Sequence, residues 1–135
     1  MSLYQNYATN RQAEEEGKWT ADGEFRGKLR IKIRSMQSKV VRAAQERINE
    51  RNRKYFRTGT PIPANVQTKN EIEIAVAVTA DWENATDAKD EPLAFSADAA
   101  KQVYTDLWEL RQQVIGLANQ ADTFRERDDA EAEKN

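Results

Sequence analysis

Residues 81–96, DWENATDAKDEPLAFS, join two apolar segments of the chain through a polar turn. The segment before the turn is hydrophobic, and the segment after it follows a heptad pattern. Large apolar side chains flank the turn, with Trp82 on one side and Phe95 on the other. We predict that these two side chains fasten a structural turn to the core, because burial of an aromatic side chain strongly favours the folded state.

The segment after the turn predicts a long helix. Ser96 is a good N-cap, because its hydroxyl can accept a hydrogen bond from a first-turn amide, and Asp98 suits the positive end of the helix dipole. Apolar residues then recur at alternating spacings of three and four. This pattern predicts one helix over residues 97–124 with a single packing seam. The seam consists of Ala100, Val103, Leu107, Leu110, Val114, Leu117, Ala121 and Phe124.

Three larger side chains widen this seam on its flanks: Tyr104, Trp108 and Ile115. Most of the seam is expected to pack on the chain's own core, since a domain of this size needs an apolar surface on every helix. We predict that part of the stripe, including these three residues, contacts another subunit or a client helix. Gly116 weakens the middle of the helix and could mark a bend or a close helix crossing.

Residues 18–34 carry a β-hairpin pattern. Residues 18–20 and 25–34 flank the turn residues Asp22 and Gly23, and the second stretch alternates three aliphatic with four cationic side chains. One face of that strand would bury its aliphatic residues, and the other would present its cations to solvent. This spacing suits an exposed sheet edge that is protected against aggregation.

A further helix is expected from Ser35 or Ser38, either of which can cap it, to about Phe56. The helix has a narrow apolar stripe. Gly59 and the prolines within residues 58–65 end it and form a linker. Cations project mostly from its other side and are candidates for partner binding: Arg42, Arg47, Arg53 and Lys54.

Residues 66–82 fit two structures. Apolar residues alternate from Ile72 to Trp82 as in a strand, whereas a different subset of apolar residues would line a helix. The alanines of this stretch favour a helix, and its β-branched residues slightly disfavour one. Periodicity alone therefore leaves both structures open.

Length and composition favour one mainly α domain. The 135 residues are 39% hydrophobic and 33% charged, with no break that would separate two cores. We predict an α+β fold over residues 1–124, in which about three helices pack with the hairpin of residues 18–34. Residues 125–135 are predicted to form a charged, disordered tail. No stretch resembles a membrane span or a secretory signal, so we expect no membrane association.

The residue types limit the chemistry. The chain has no cysteine and no histidine, which excludes thiol nucleophiles, disulfides, Cys/His zinc sites and an imidazole base. Its carboxylates lie mainly in runs such as residues 14–16 and 128–133, where a solvated surface is the simpler role. We therefore expect no enzyme activity, no catalytic residue, no metal and no cofactor.

Charge is divided unevenly along the chain. Residues 26–57 hold twelve Lys or Arg and two Glu, whereas residues 68–135 hold seven basic and sixteen acidic side chains. A basic block can bind nucleic acid, but no glycine loop, zinc spacing or RNA-binding signature accompanies this one. Nucleic-acid binding is therefore not favoured. The two blocks could instead face each other within one molecule or between neighbouring subunits.

In three places the chain resembles the tail assembly chaperones of long-tailed bacteriophages. Residues 3–34 resemble their acidic lead, aromatic residue, turn and strand. Residues 81–96 resemble their Trp-Glu-x-x-Thr-Asp turn and its proline, hydrophobic, phenylalanine and serine ending. Residues 97–124 occupy the place of their carboxy-terminal helical region. The resemblance implies that Trp82 ends a helix, and it thereby favours a helix for residues 66–82.

The resemblance implies a binding protein of the host cytoplasm that is absent from the mature virion. Such a protein would coat the tape-measure protein, the long helical ruler of the tail, keep it soluble and help to recruit the tail-tube protein. Proteins of this kind tend to form homo-oligomers, and a translational frameshift often adds a longer product. Two other classes stay open: a structural minor tail or connector protein, and a small nucleic-acid-binding regulator that uses residues 26–57.

Overall fold

Helices make up most of the molecule and pack around a small antiparallel sheet, which confirms the predicted fold class. The computed structural model describes residues 2–125. The helices are α1 (Leu3–Tyr7), α2 (Arg11–Glu16), α3 (Lys39–Arg51), α4 (Arg53–Thr58), α5 (Ala64–Val78), α6 (Ala97–Asp106) and α7 (Trp108–Ala118), followed by a 3-10 turn (Ala121–Phe124). The strands are β1 (Lys18–Trp19), β2 (Arg30–Ile33) and β3 (Thr79–Glu83).

The sheet has the order β1-β2-β3, and both pairs are antiparallel. The expected antiparallel pairing is present, since Lys18 lies opposite Ile33 of β2, but β2 begins only at Arg30 and the connection runs over residues 20–29 instead of a tight turn at Asp22 and Gly23. The expectation that this strand forms an exposed edge is wrong, because β3 pairs with the other side of β2 and places Glu83 opposite Arg30. Pairing on both sides satisfies the backbone groups of β2 that an edge would expose.

Residues 66–82 contain both of the structures that their pattern allowed. The helix α5 ends at Val78, and β3 begins at Thr79. Trp82 therefore lies in a strand, which corrects the implication that it ends a helix. The physical reason is long-range, because the backbone of residues 79–83 pairs with β2, a partner some fifty residues away in sequence.

The helix predicted after β2 is interrupted. Ser38 caps α3 by accepting a hydrogen bond from the amide of Val41 at 3.3 Å. The predicted single helix to Phe56 is broken at Asn52, which separates α3 from α4. Gly59 then ends α4 in the left-handed conformation, with φ of 66°.

The final helix is also interrupted, so the prediction of one helix over residues 97–124 is wrong. Ser96 caps α6 as expected, accepting a hydrogen bond from the amide of Ala99 at 3.0 Å. The break falls at Leu107, whose φ of −117° and ψ of 82° are not helical. Gly116 lies inside α7, and a Cβ atom there would meet no atom within 4 Å. Gly116 therefore marks neither the bend nor a close helix crossing.

The core forms where α5 packs against α3, α6 and α7, with β2 on one side. Its fully buried large side chains include Ile31, Ile33, Val41, Val78, Tyr104, Val114 and Phe124. The amide of Met36 donates to the carbonyl of Ala118, which ties the end of the sheet to the end of α7. Apart from Arg125, the predicted tail 125–135 lies outside the described residues. Within residues 2–125, no helix has the length and apolar character needed to cross a membrane.

Candidate functional site

Large exposed apolar side chains concentrate in two places. One is α1, with Leu3, Tyr4 and Tyr7, and the other is the break between α6 and α7, with Leu107 and Trp108. Val40 and Phe56 are exposed singly. Scattered apolar side chains are normal on a protein surface, but adjacent ones on a fixed backbone are candidates for a contact.

Leu107 and Trp108 form what we call the α6–α7 knuckle. Leu107 is the last residue before α7, and Trp108 is the first residue in it. The side chain of Trp108 is exposed, and 61% of the residue's surface is accessible. A continuous helix would have kept Leu107 in the packing seam, whereas the break turns it outward and leaves it 51% exposed. The knuckle therefore offers two neighbouring apolar side chains to a partner.

Arg111 holds this break in place. Its Nη1 donates to the carbonyl of Tyr104 at 2.8 Å, and its Nε donates to Oε1 of Glu71 on α5, also at 2.8 Å. In a continuous helix the carbonyl of Tyr104 would accept from the amide of Trp108 instead. Arg111 is buried, so its bond to the carbonyl of Tyr104 is shielded from water, whereas the side chain of Glu71 is partly exposed. The guanidinium thus replaces the missing helical bond and fixes both helices to α5.

The loop between β1 and β2 is attached beside the knuckle. Nη2 of Arg26 lies 3.0 Å from Oε1 of Glu109, and Nε2 of Gln113 donates to the carbonyl of Glu24 at 2.7 Å. The ion pair is exposed on both sides and contributes little to stability by itself. The two contacts show where the loop lies, which is next to the first two turns of α7.

Tyr104 is not available to a partner, which corrects its assignment to the candidate surface. Its exposure is 0%, and its hydroxyl lies 2.6 Å from Oγ1 of Thr79. The hydroxyl of Thr79 donates to the carbonyl of Ala75 at 2.9 Å, so Tyr104 is the donor in the bond between the two hydroxyls. Tyr104 therefore packs in the core although the pattern placed it on the flank of the seam, and its hydroxyl is hydrogen-bonded there.

Stability is expected to fall at alkaline pH because of Tyr104. Burial raises the pKa of Tyr104 from 10.0 to about 12, because the charged phenolate loses its contact with water. The stabilisation of the protonated ring is complete below the unfolded pKa and is lost as pH rises from about 10 through about 12. We expect a loss of roughly 2–3 kcal/mol over that interval, measured by urea unfolding. The Tyr104→Phe variant, which lacks the titrating group, should lose less; an equal loss would contradict the assignment.

The other predicted partner-binding residues lie apart from the knuckle. Ile115 is half-buried against the core. The four cations are exposed on α3 and α4. Arg47 lies 3.6 Å from Glu73, and Arg53 lies 2.7 Å from Glu50. The ammonium of Lys54 lies over the ring of Tyr55, and Arg42 lines a polar cavity together with Arg11 and Glu14.

The basic and acidic halves meet within the molecule at several ion pairs. Arg30 lies 2.7 Å from Glu83, and Arg51 lies 2.7 Å from Glu73. Together with Arg26–Glu109 and Arg47–Glu73, these pairs join residues 26–57 to the acidic part of the chain. Part of the basic block is therefore neutralised internally, which weakens its case as a surface for phosphates.

Trp82 and Phe95 meet at the turn between β3 and α6. Their ring centroids are 5.1 Å apart in an edge-to-face arrangement with an interplanar angle of 85°. Nε1 of Trp82 also donates to the carbonyl of Leu93 at 2.9 Å. This is the contact that a structural role for both residues requires. In the part of the chain that the structure describes, no group of three or more acidic side chains is arranged to hold a metal ion.

Sequence comparison gives the origin of the chain. A family model described as YdaY prophage protein matches residues 31–135, which is more than half of the sequence. The chain belongs to the YdaY prophage protein family. Comparison with curated proteins and comparison with solved structures give no match. This YdaY-family protein is therefore phage-derived, as the sequence indicated, and the match includes the knuckle but leaves out α1, α2 and β1.

Proposed function

We propose that this YdaY-family protein is a phage tail assembly chaperone. It binds the tape-measure protein, keeps it soluble and helps to recruit the tail-tube protein. It acts in the host cytoplasm by binding and not by catalysis, forms homo-oligomers, and is absent from the finished virion. A longer frameshift product would share its fold. The family match supports the phage origin, and the resemblance and the exposed knuckle support the chaperone role.

The observation that carries the proposal is the exposure of Leu107 and Trp108 on a fixed backbone. A helical client such as the tape-measure protein exposes apolar stripes that aggregate unless they are covered. Tryptophan is the residue that most often dominates such a contact, because it supplies a large apolar area with few rotatable bonds. A knuckle of this kind fits between side chains of a client helix.

The clamp around Arg111 supports the same proposal. A binding side chain loses less entropy on association when its backbone is already held in the bound geometry. Arg111 fixes the break through Tyr104 and Glu71, so the backbone of the knuckle is already ordered in the absence of a partner. Charged residues nearby, such as Glu109 and Arg26, are paired with each other and form a polar rim.

Trp108→Ala is expected to weaken binding of the tape-measure protein by at least about tenfold while leaving the fold intact. The side chain is mostly exposed, so its loss removes little core packing. The test is co-expression with the tape-measure protein of the same prophage, scored by the soluble fraction of that client. Phe56→Ala is the matched control, since 64% of Phe56 is accessible and it lies away from the knuckle on α4.

Three outcomes would count against this assignment. Equal client solubility with wild type and Trp108→Ala would show that the knuckle is not the contact. A client that stays insoluble with the wild-type protein, together with this protein in purified particles, would favour a structural minor tail or connector protein. A complex that forms only with nucleic acid would favour a regulator that uses residues 26–57.

A further inference from the structure

The first helix stands apart from the core. Every residue from Ser2 to Ala8 is exposed, and 82% of Tyr4 is accessible, with 68% of Leu3 and of Tyr7. The helix caps itself, since Ser2 Oγ accepts from the amide of Gln5 at 3.1 Å, and the amide of Ser2 donates to Oε1 of Gln5 at 2.9 Å. Contact with the rest of the molecule begins after α1, where the amide of Asn10 donates to the carbonyl of Phe124.

This arrangement is unfavourable for an isolated molecule. A helix of five residues is far shorter than the roughly 12–15 residues that make an isolated helix even marginal in water. Three large apolar side chains on it also remain in contact with water, although burying each would contribute about 1.5–3 kcal/mol. The segment therefore has the properties of a contact surface whose covering partner is another molecule.

The absence of charged side chains from the segment indicates what kind of molecule covers it. Residues 2–8, SLYQNYA, contain no charged side chain in a chain that is 33% charged. In a twofold-symmetric pair the same patch of each copy faces the other, so a net charge on the patch would face the same net charge on the other copy. Like charges brought together across an interface cost several kcal/mol. A charge-free apolar patch is what self-pairing needs, and it offers nothing to a phosphate or to a charged peptide.

The exposed surface of the segment also suits pairing between two copies of the chain. Leu3, Tyr4, Tyr7 and Ala8 form an open, mainly apolar surface on one side of α1. The ring of Tyr4 is its most exposed member. We propose that α1 pairs with α1 of a second copy of this chain across a twofold axis, with Tyr4 of each copy against the apolar surface of the other.

The pairing is weak and reversible. Leu3, Tyr4 and Tyr7 together offer an apolar area on the order of 400 Å² per copy, about half of the roughly 800 Å² that each partner contributes to a standard interface. The family match begins at residue 31, so the pairing belongs to a part of this chain that the match does not include. It uses a surface separate from the knuckle and does not depend on tape-measure binding.

Sedimentation velocity of the isolated full-length protein, from low micromolar to near-millimolar concentration, tests the pairing. We expect wild type to shift from monomer to dimer as concentration rises, and Tyr4→Glu to weaken dimerisation at least about tenfold, because two carboxylates would face each other. Phe56→Glu, an equally drastic change at an exposed aromatic residue outside α1, should dimerise like wild type. Circular dichroism should show the same helix content in all three proteins.

Two results would overturn the proposal. The first is a wild-type protein that stays monomeric over the whole range, which would also contradict the proposed homo-oligomers. The second is a Tyr4→Glu variant that dimerises as strongly as wild type, which would place self-association on another surface. If wild type is monomeric and Tyr4→Glu loses tape-measure binding, α1 is a client contact instead. Because the tape-measure protein is absent from the sedimentation assay, failure of the pairing leaves the proposed tape-measure binding standing.

Discussion

Tyr104→Ala is expected to lower the free energy of unfolding by roughly 3–5 kcal/mol, the range found when large buried aromatic side chains are truncated. The ring is fully buried between α6 and the end of α5, so its removal leaves a cavity that the surrounding elements fill only in part. It also removes the hydrogen bond to Thr79, whose hydroxyl then loses its donor in the core. Since a domain of this size is stable by about 5–15 kcal/mol, urea unfolding should show a large shift in midpoint.

Tyr104→Phe is the matched control for this prediction. It keeps the ring and removes only the hydroxyl, so we expect a loss of about 0.5–1.5 kcal/mol. The difference between the two variants measures the packing of the ring. A small loss with Tyr104→Ala would contradict the buried placement and would return Tyr104 to the list of partner-binding candidates.

Trp82→Ala is expected to destabilise the fold by a similar amount, roughly 3–5 kcal/mol. Trp82 is buried in β3, stacks edge-to-face on Phe95 and donates to the carbonyl of Leu93. Its loss therefore removes the side chain that joins the sheet to the turn before α6. Thermal unfolding with circular dichroism would measure the effect.

Phe95→Ala should cost less than Trp82→Ala, although the sequence alone gave no reason to rank the two. Phe95 is only half-buried, so a smaller apolar area returns to water when it is truncated. Trp82→Phe keeps an aromatic ring and loses the bond to Leu93. Its loss of stability should lie between that of wild type, which is zero, and that of Trp82→Ala. Equal stability of wild type and Trp82→Ala would show that the turn is held by other contacts.

Local signals in the sequence located several features correctly. Ser38 and Ser96 cap helices as predicted, because N-capping depends on a serine and the amides that follow it within three residues. The alternation over residues 30–33 likewise indicated a strand that pairs with β1, whereas the predicted turn at Asp22 and Gly23 is only part of a longer connection over residues 20–29. These features need no knowledge of distant parts of the chain.

Features set by distant contacts were not predictable in the same way. The strand β3 forms because β2 offers it an unpaired edge, and periodicity over residues 66–82 cannot show that partner. The break at Leu107 depends on Arg111 and on Glu71 of a different helix. A signal for the break was present, since Arg111 is a cation within a predicted apolar stripe, and a buried cation must find partners.

The interruption of this helix bears on why only some of the predicted partner-binding residues are exposed. A continuous heptad seam treats Tyr104, Leu107 and Trp108 as neighbours on one stripe. Tyr104 lies within α6 and is buried, whereas Leu107 and Trp108 lie at the break and are exposed, so residues that the pattern grouped together have opposite environments. The phage origin was recognisable from the sequence and is supported by the family match, whereas the tape-measure client is a proposal that requires a binding experiment.

The central claim is that this YdaY-family protein binds the tape-measure protein through an apolar contact. The most direct measurement is co-purification of the two proteins from one prophage, with nuclease present, at about 0.15 M and about 0.5 M salt, since the higher salt screens exposed charges. We predict a soluble complex that survives both salt concentrations. Absence of a complex while the tape-measure protein aggregates, or a complex that is lost at the higher salt, would contradict the claim.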